Sequence, residues 1–383
     1  MTARVFITGG CGFIGAKLAE KFIGDGAQVT VYDNLHPQVA SIHSTNRPRL
    51  QELGVRVVIG DVCDQGALVT AVRAATPDLV YHLAAETGTG QSYDMPARYS
   101  EVNVTGTAHL IEALRAAPTR VRRVILAGSR AVYGEGACVD TENRLTPAIE
   151  RTDEDLAAGD YAPKDKHGTR LSPVASNADC PANPASIYAS TKLLQEYLLT
   201  QGFRGTDTEV GLLRLQNVYG PGQALDNPYT GVLSIFARQI SEGKTLEIYE
   251  DGEITRDFVF IDDVVSALHR LGTIDTMPKG IIDIGSGEGA TILDVARQML
   301  KAMGKDPDRV RISGKFRPGD IRHALADISR AQNELGWRPK IDLATGLGLL
   351  IRWSSANALP RTESGGASAK RTAAASLGID EQT

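Results

Sequence analysis

Short apolar runs bounded by glycine and polar residues punctuate the first half of the chain, at residues 5–8, 29–32, 55–60, 79–83 and 124–128. Runs of this length predict strands buried on both faces. Between them lie amphipathic stretches such as 13–23, which predict helices. The alternation predicts a parallel sheet covered on both sides, with ligands bound beyond the carboxyl ends of its strands.

From 134 to 184 the pattern breaks into a polar segment rich in Asp, Pro and Ala, which reads as an insertion. A helix is predicted at 186–201, a further strand at 209–215, and then shorter elements at 246–249, 258–261 and 281–284, expected to build a smaller unit. After about residue 356 the chain turns to Ala, Ser, Gly and Thr, too apolar-poor to offset the entropy of ordering. The expected fold class is therefore α/β. A Rossmann-type doubly wound parallel sheet occupies 1–215 and carries the insertion. A smaller C-terminal substrate-binding α/β domain occupies 216–355, with some chain returning to the first domain, and 356–383 form a disordered tail. A length of 383 residues suits such a division.

Composition narrows the partners. A net charge of −5 with interspersed signs provides no basic stripe for nucleic acid. No apolar run reaches bilayer length and no leader precedes the first strand pattern, so no membrane partner is expected and a cytoplasmic location is the default. The four cysteines include no Cys-x-x-Cys pair, so plain thiols and no metal site are expected.

The candidate chemistry begins at Thr8-Gly9-Gly10-Cys11-Gly12-Phe13-Ile14-Gly15, directly after the first strand. Gly9, Gly12 and Gly15 suit a tight turn, close backbone approach to a pyrophosphate, and helix–strand packing. The helix start, with Phe13 and Ile14, then presents N–H groups to the anion. Asp33 ends the second strand, placed for the adenosine ribose, and Asn34 brings no arginine for a 2′-phosphate, so NAD is expected rather than NADP. Asp33 also suits an Asx-turn. Asp61, followed by Val62, is placed for the adenine, although a helix N-cap fits it nearly as well. Leu83, Ala84 and Ala85 end the fourth strand with small residues that let the cofactor lie close, although core packing fits them almost as well.

Tyr188 and Lys192 are four apart on a predicted helix and share a face, while Ser129 ends the fifth strand. A phenol of ordinary pKa about 10 needs roughly 4 kcal/mol of phenolate stabilisation to work near pH 7. A neighbouring ammonium and a bound nicotinamide cation are its expected sources, with Ser129 sharing a hydrogen bond to the reacting oxygen.

These residues, with His82, Leu83, Ala84, Ala85 and Asn103, resemble the NAD-dependent epimerase/dehydratase family of extended short-chain dehydrogenases. The resemblance runs from Met1 to about Trp353 and includes 215–222, Thr255-Arg256-Asp257-Phe258-Val259 and Arg317-Pro318-Gly319-Asp320. It implies NAD contacts through the glycine loop, Asp33, Asn34, Asp61, Val62, Leu83, Ala84, Ala85, Asn103, Tyr188 and Lys192. It implies nucleotide-sugar contacts through Thr87, Ser129, Arg130, Asn217, Tyr249, Arg256, Arg317 and Asp320. Arginine forks suit a diphosphate and Tyr249 suits the base. Asp320 fits either the nucleoside ribose or an arginine partner.

Dehydratases of the family carry an Asp-Glu pair after the catalytic hydroxyl; this chain has Arg130-Ala131, which disfavours dehydration. Residues 86–92, 129–136 and 217–236 look especially like dTDP-L-rhamnose 4-epimerases, implying a dTDP-sugar inverted at C4. Gly128 departs from the second serine usual there, and the insertion lacks the paired cysteines of some relatives. UDP-sugar epimerisation, net 4-keto-sugar reduction and non-catalytic NAD sensing remain the alternatives. A homodimer formed through helices around 101–114 and 186–199 is the family-level expectation, and the insertion reads equally as a lid or as a loop without a role.

Overall fold

The computed structural model describes residues 2–224, 231–317 and 319–357, with the side chains of 39–44 outside the description. The expected tail thus lies almost wholly outside the described residues. Strands β1 (Arg4–Thr8), β2 (Gln28–Asp33), β3 (Arg56–Ile59), β4 (Leu79–His82) and β5 (Arg123–Ser129) fall on the apolar runs. Two short strands, β6 (Cys138–Val139) and β7 (Ser172–Pro173), pair antiparallel within the insertion. The chain then forms β8 (Glu209–Leu215), β9 (Asn217–Tyr219), β10 (Leu246–Ile248), β11 (Thr255–Phe260), β12 (Ile281–Ile284), β13 (Gly289–Thr291), β14 (Val310–Ile312) and β15 (His323–Ala324).

Seven strands make one sheet in the order β12-β8-β5-β4-β1-β2-β3. Every pairing in it is parallel. The order reverses between β1 and β4, which opens the crevice where doubly wound folds bind ligands. The strand at 281–284, expected in the smaller unit, instead extends this sheet beside β8, with Ile281 opposite Leu212. An apolar run four residues long carries no information about which sheet it joins. The remaining C-terminal strands pair separately, β11 with β9, β13 and β15, and β10 with β14.

One apolar cluster runs from Val5 and Ile7 through Phe258, Val264 and Leu268 to Leu350. The C-terminal elements therefore share a core with the parallel sheet. The helix Ile261–Thr273 is the seam, and the buried Tyr81 hydroxyl donates to its Leu268 carbonyl at 3.0 Å. No helix among the described residues is long and apolar enough to cross a membrane.

Candidate active site

The loop after β1 has the geometry its glycines predict. Gly9 adopts φ +69°, and a Cβ there would lie 2.7 Å from the Ala84 nitrogen. A Cβ at Gly15 would lie 2.4 Å from the Gly9 carbonyl, so the helix Phe13–Gly24 starts against the turn only because that position has no side chain. Phe13 and Ile14 open this helix and pack half-buried on the core.

A cleft of about 160 Å³ runs past Gly9, Gly12, Asp33, Asn34, Asp61, Val62, Leu83, Ala84, Ala85 and Thr87. It collects nine of the residues expected at the cofactor and adds Tyr32, His36 and Gln38, while Phe13, Ile14, Gly15, Asn103, Tyr188 and Lys192 are not on its wall. Thr87, expected at the sugar, lines this cleft as well. Asp33 Oδ2 accepts from the Cys11 N–H at 2.9 Å and Oδ1 from the Leu35 N–H at 2.8 Å. The Asx-turn alternative is thus realised, and the same carboxylate ties the glycine loop to β2. Asp61 is held by the Asn34 amide at 2.9 Å; the helix N-cap considered for it belongs to Asp64, which accepts from Ala67.

Asn103, expected at the cofactor, is tied to the protein on both sides of its amide. It is fully buried, accepts from the Glu86 N–H at 2.8 Å, and donates to the Glu86 carbonyl and the Thr191 hydroxyl. Its amide fastens the 85–87 loop to the helix Ile187–Gly202, so it shapes the cleft through Glu86.

The Ser186 hydroxyl caps that helix by accepting from the Ala189 N–H, which sets Tyr188 in the first turn. Ser129 ends β5 and caps the following turn by accepting from Ala131 at 3.1 Å. Burial raises the Tyr188 phenol above its ordinary pKa, while a hydrogen bond with Ser129 and the Arg130 cation pull it down. Tyr99 meets the Tyr188 ring edge-on at 6.3 Å. The cation that pulls the phenol down here is Arg130. Lys192 is buried and its Nζ donates to Gln195 Oε1 at 2.7 Å, one turn along its own helix. Burial pushes its pKa down to about 8, opposed by Glu196.

Gln195 belongs to a relay the sequence did not disclose. Its amide donates to the Thr107 hydroxyl at 2.9 Å, and that hydroxyl donates to the Asn103 carbonyl. The Thr107 oxygen must then accept from His82 Nε2 at 2.9 Å, which leaves His82 Nδ1 to accept from Thr8 Oγ1 at 2.8 Å. Burial, with Lys192 adding, pushes His82 down to about 3, consistent with this neutral tautomer. A fixed polar chain thus joins the end of β1 to the Lys192 ammonium.

Gly128, the departure from the usual serine, has a steric cause. A Cβ there would lie 2.7 Å from the Leu213 carbonyl and 3.3 Å from Glu196 Oε1. That space is occupied by the buried Glu196–Arg214 pair, joined at 2.7 Å, with the Arg214 guanidinium 4.6 Å from the Tyr133 ring centroid.

Beyond Tyr188 the site is cationic. Arg130 donates to the Gly134 carbonyl at 2.9 Å; burial and the Arg256 charge push it down to about 9, against the pull of Glu135 and Asp320. It stays protonated at neutral pH. Arg256 is buried, paired with Asp320 at 2.7 Å, so Asp320 steadies an arginine. The Arg317 guanidinium lies 4.9 Å over the Tyr249 ring, a face expected to receive a base. Asn217 is half-buried at the start of β9, paired in register with Phe258 beside Asp257 and Arg256.

The glycine cradle fits a dinucleotide, since a Cβ at Gly9 would fill the very space between β1 and β4. The model for the NAD dependent epimerase/dehydratase family matches residues 5–285. A dTDP-L-rhamnose 4-epimerase of Burkholderia thailandensis is 40% identical over 352 residues, covering 91% of this chain and 94% of that protein. A UDP-glucose 4-epimerase of Mycolicibacterium smegmatis is 31% identical over 360 residues, covering 91% and 98%. Among solved structures, the UDP-glucuronic acid 4-epimerase of Bacillus cereus with UDP-glucuronic acid and NAD superposes with a TM-score of 0.75 at 26% identity, covering 92% of this chain and 99% of that one. Loop, hydroxyl pair, lysine and matched sequence agree: this chain belongs to the NAD-dependent epimerase/dehydratase family.

Proposed function

We propose that the protein is a nucleotide-sugar 4-epimerase that uses tightly bound NAD and acts on dTDP-L-rhamnose, interconverting it with dTDP-6-deoxy-L-talose. The observation that carries this reading is the Ser129–Tyr188 hydroxyl pair at the carboxyl edge of β5, with Arg130 alongside and Lys192 buried one turn away. The extent of the likeness to the B. thailandensis enzyme supports the choice of sugar.

When bound, NAD+ would supply the hydride acceptor and donor for C4, and its positive ring would favour ionisation nearby. The protein's part is proton transfer and restraint. Tyr188 Oη, as phenolate, takes the C4 hydroxyl proton, and Ser129 Oγ shares the oxygen as its charge develops. Of the three Lys192 N–H bonds one is committed to Gln195, leaving two for the nicotinamide ribose and the phenolate. With the 4-keto sugar turned over, Tyr188 returns its proton and the configuration at C4 is inverted without net redox. Arg256 and Arg317 hold the diphosphate meanwhile, and Asn217 orients the sugar. Tyr249, beneath Arg317, is the aromatic face for the base.

A pair of exposed apolar side chains, Leu194 at 44% and Tyr197 at 51%, lies on the outer face of the helix Ile187–Gly202 and supports its pairing with a second copy as a homodimer. The test of function is incubation of the purified protein, without added cofactor, with dTDP-, UDP-, GDP- and CDP-sugars, and NMR of the products. Inversion at C4 of the dTDP-6-deoxyhexose is expected. Preference for a UDP-sugar transfers the assignment to that base, and a requirement for stoichiometric external reductant replaces it with a reductase.

A further inference from the structure

The insertion is fastened to the C-terminal elements through buried charges. Arg151, whose side chain is 3% exposed, donates through Nε to Glu135 Oε1 at 2.8 Å and through Nη1 to Glu250 Oε1 at 2.9 Å. Its Nη2 donates to the Asp320 carbonyl at 2.7 Å. Arg322 takes the other side, bonding Glu250 at 2.8 Å and Asp251 at 2.6 Å, while its backbone N–H donates to Glu135 Oε2 at 2.8 Å. Two carboxylates buried at 7% and 1%, Glu135 and Glu250, are thus each held by both arginine residues. A second tie lies further along the insertion, where Ser176 pairs with Leu325 and Asp327 through the backbone and Asn177 donates to Asp327 at 2.9 Å.

Arg151 stands where the proposed nucleotide contacts converge. Glu250, which it grips, adopts φ +51°, a conformation that non-glycine residues rarely take and that needs outside support. The preceding residue is Tyr249, whose ring lies under Arg317. Asp320, whose carbonyl Arg151 also grips, carries on its side chain the pair to Arg256. A cavity of about 990 Å³ lies between the insertion and 319–321, with Glu135, Arg151 and Asp320 on its wall.

We propose that Arg151 is a positioning residue, and that through it the insertion serves as a fixed strut setting Tyr249 and Arg256 for the nucleoside diphosphate. Opening the insertion as a lid would part Arg151 from Glu250 and from the Asp320 carbonyl, and Glu135 from the Arg322 N–H, breaking three buried charged bonds at once, which is strongly opposed. The strut rests on the nucleotide-sugar reading above. Arginine is required because one planar fork meets Glu135, Glu250 and a carbonyl at once, which an ammonium on a flexible stem does not reproduce.

The test uses the full-length holoenzyme and its Arg151→Lys variant, which keeps the buried positive charge. The Kd for dTDP by calorimetry and the KM for the nucleotide sugar rise about tenfold, kcat falls by less than that, and the NAD content is unchanged. Hydrogen exchange of the wild type supplies a measurement that does not depend on the variant folding. The amides of Ser176, Arg322 and Asp327, whose hydrogen bonds cross between the insertion and the C-terminal elements, exchange slowly in the dTDP-free protein and stay slow when dTDP is added. Unchanged dTDP affinity and KM in Arg151→Lys overturn the strut alone, as does equal loss of NAD and dTDP. Fast exchange at Ser176, Arg322 and Asp327 that dTDP quenches overturns it in favour of a lid. A wild type that binds no nucleoside diphosphate removes the nucleotide-sugar reading and the strut together.

Discussion

Beside β1 the cleft is built of backbone and small side chains, Gly9, Gly12, Ala84 and Ala85, whereas beyond Tyr188 it is built of long charged ones, Arg130, Arg256, Asp320 and Arg317. At the first end recognition depends on what a position lacks. A Cβ at Gly9 has nowhere to go, so the residue type is dictated by sterics and is visible in the sequence. At the second end recognition depends on pairing. Arg256 is paired with Asp320, whose carbonyl is bonded by Arg151, and no local pattern announces partners 64 and 169 residues apart. The difference teaches that residue types at the first end are dictated by local sterics, while those at the second are dictated by partners far away in the sequence.

The largest effect expected falls where the two ends meet. Tyr188→Phe removes the proton carrier and lowers kcat by about 10²–10⁴-fold, with NAD still bound; NMR turnover assays and the cofactor content of the purified variant check this. At the backbone-built end, Gly9→Ala forces a Cβ against Ala84 in a left-handed backbone conformation and weakens NAD binding by about tenfold or more, read by fluorescence titration of the apoprotein. At the charged end, Arg256→Lys breaks the aimed fork and raises the KM for the nucleotide sugar about tenfold, leaving NAD affinity as it was. If instead Gly9→Ala and Arg256→Lys each weaken both ligands alike, the two ends are not independent.

Smaller effects sharpen the picture of the buried relay. Gln195→Leu removes an acceptor from the Lys192 ammonium; that bond favours the charged form, so the lysine pKa falls below its present value of about 8. The alkaline limb of kcat/KM then moves to lower pH, by about half a unit to one unit. The smallest change concerns stability. Burial raises Asp283 to about 7, against its Tyr133 hydrogen bond and Arg214, so in the folded protein it keeps its proton over a range where the unfolded chain has lost it. Its contribution is fully present below the unfolded pKa and is lost as pH rises through about 7. Asp283→Asn is expected to flatten the fall of Tm over that interval, as a pH series of thermal melts would show.

The sequence reading recovered what local chemistry enforces. Strand β8 falls on 209–215 as expected, Ser129 ends β5, and Tyr188 and Lys192 occupy consecutive turns of one helix. It did not recover what tertiary burial decides. Lys192 turns to Gln195 because a polar chain from Thr8 through His82 and Thr107 reaches that point, and Asn103 is consumed by Glu86 and Thr191. Strand β12 joins the main sheet because β8 offers it a buried edge. Arg151 sits in a polar stretch with no periodicity, and only the buried carboxylates Glu135 and Glu250 give it a task. The glutamine three residues after Lys192 was the one available signal, since that spacing places both on the same helix face.

The central claim, that Tyr188 and enzyme-held NAD invert C4 by returning the same hydride to the other face, is tested most directly with dTDP-L-rhamnose carrying deuterium at C4. The account predicts a C4-inverted product that keeps its deuterium in ordinary water, formed without added cofactor. Loss of the label to solvent, or no inversion by protein that contains NAD, would contradict it.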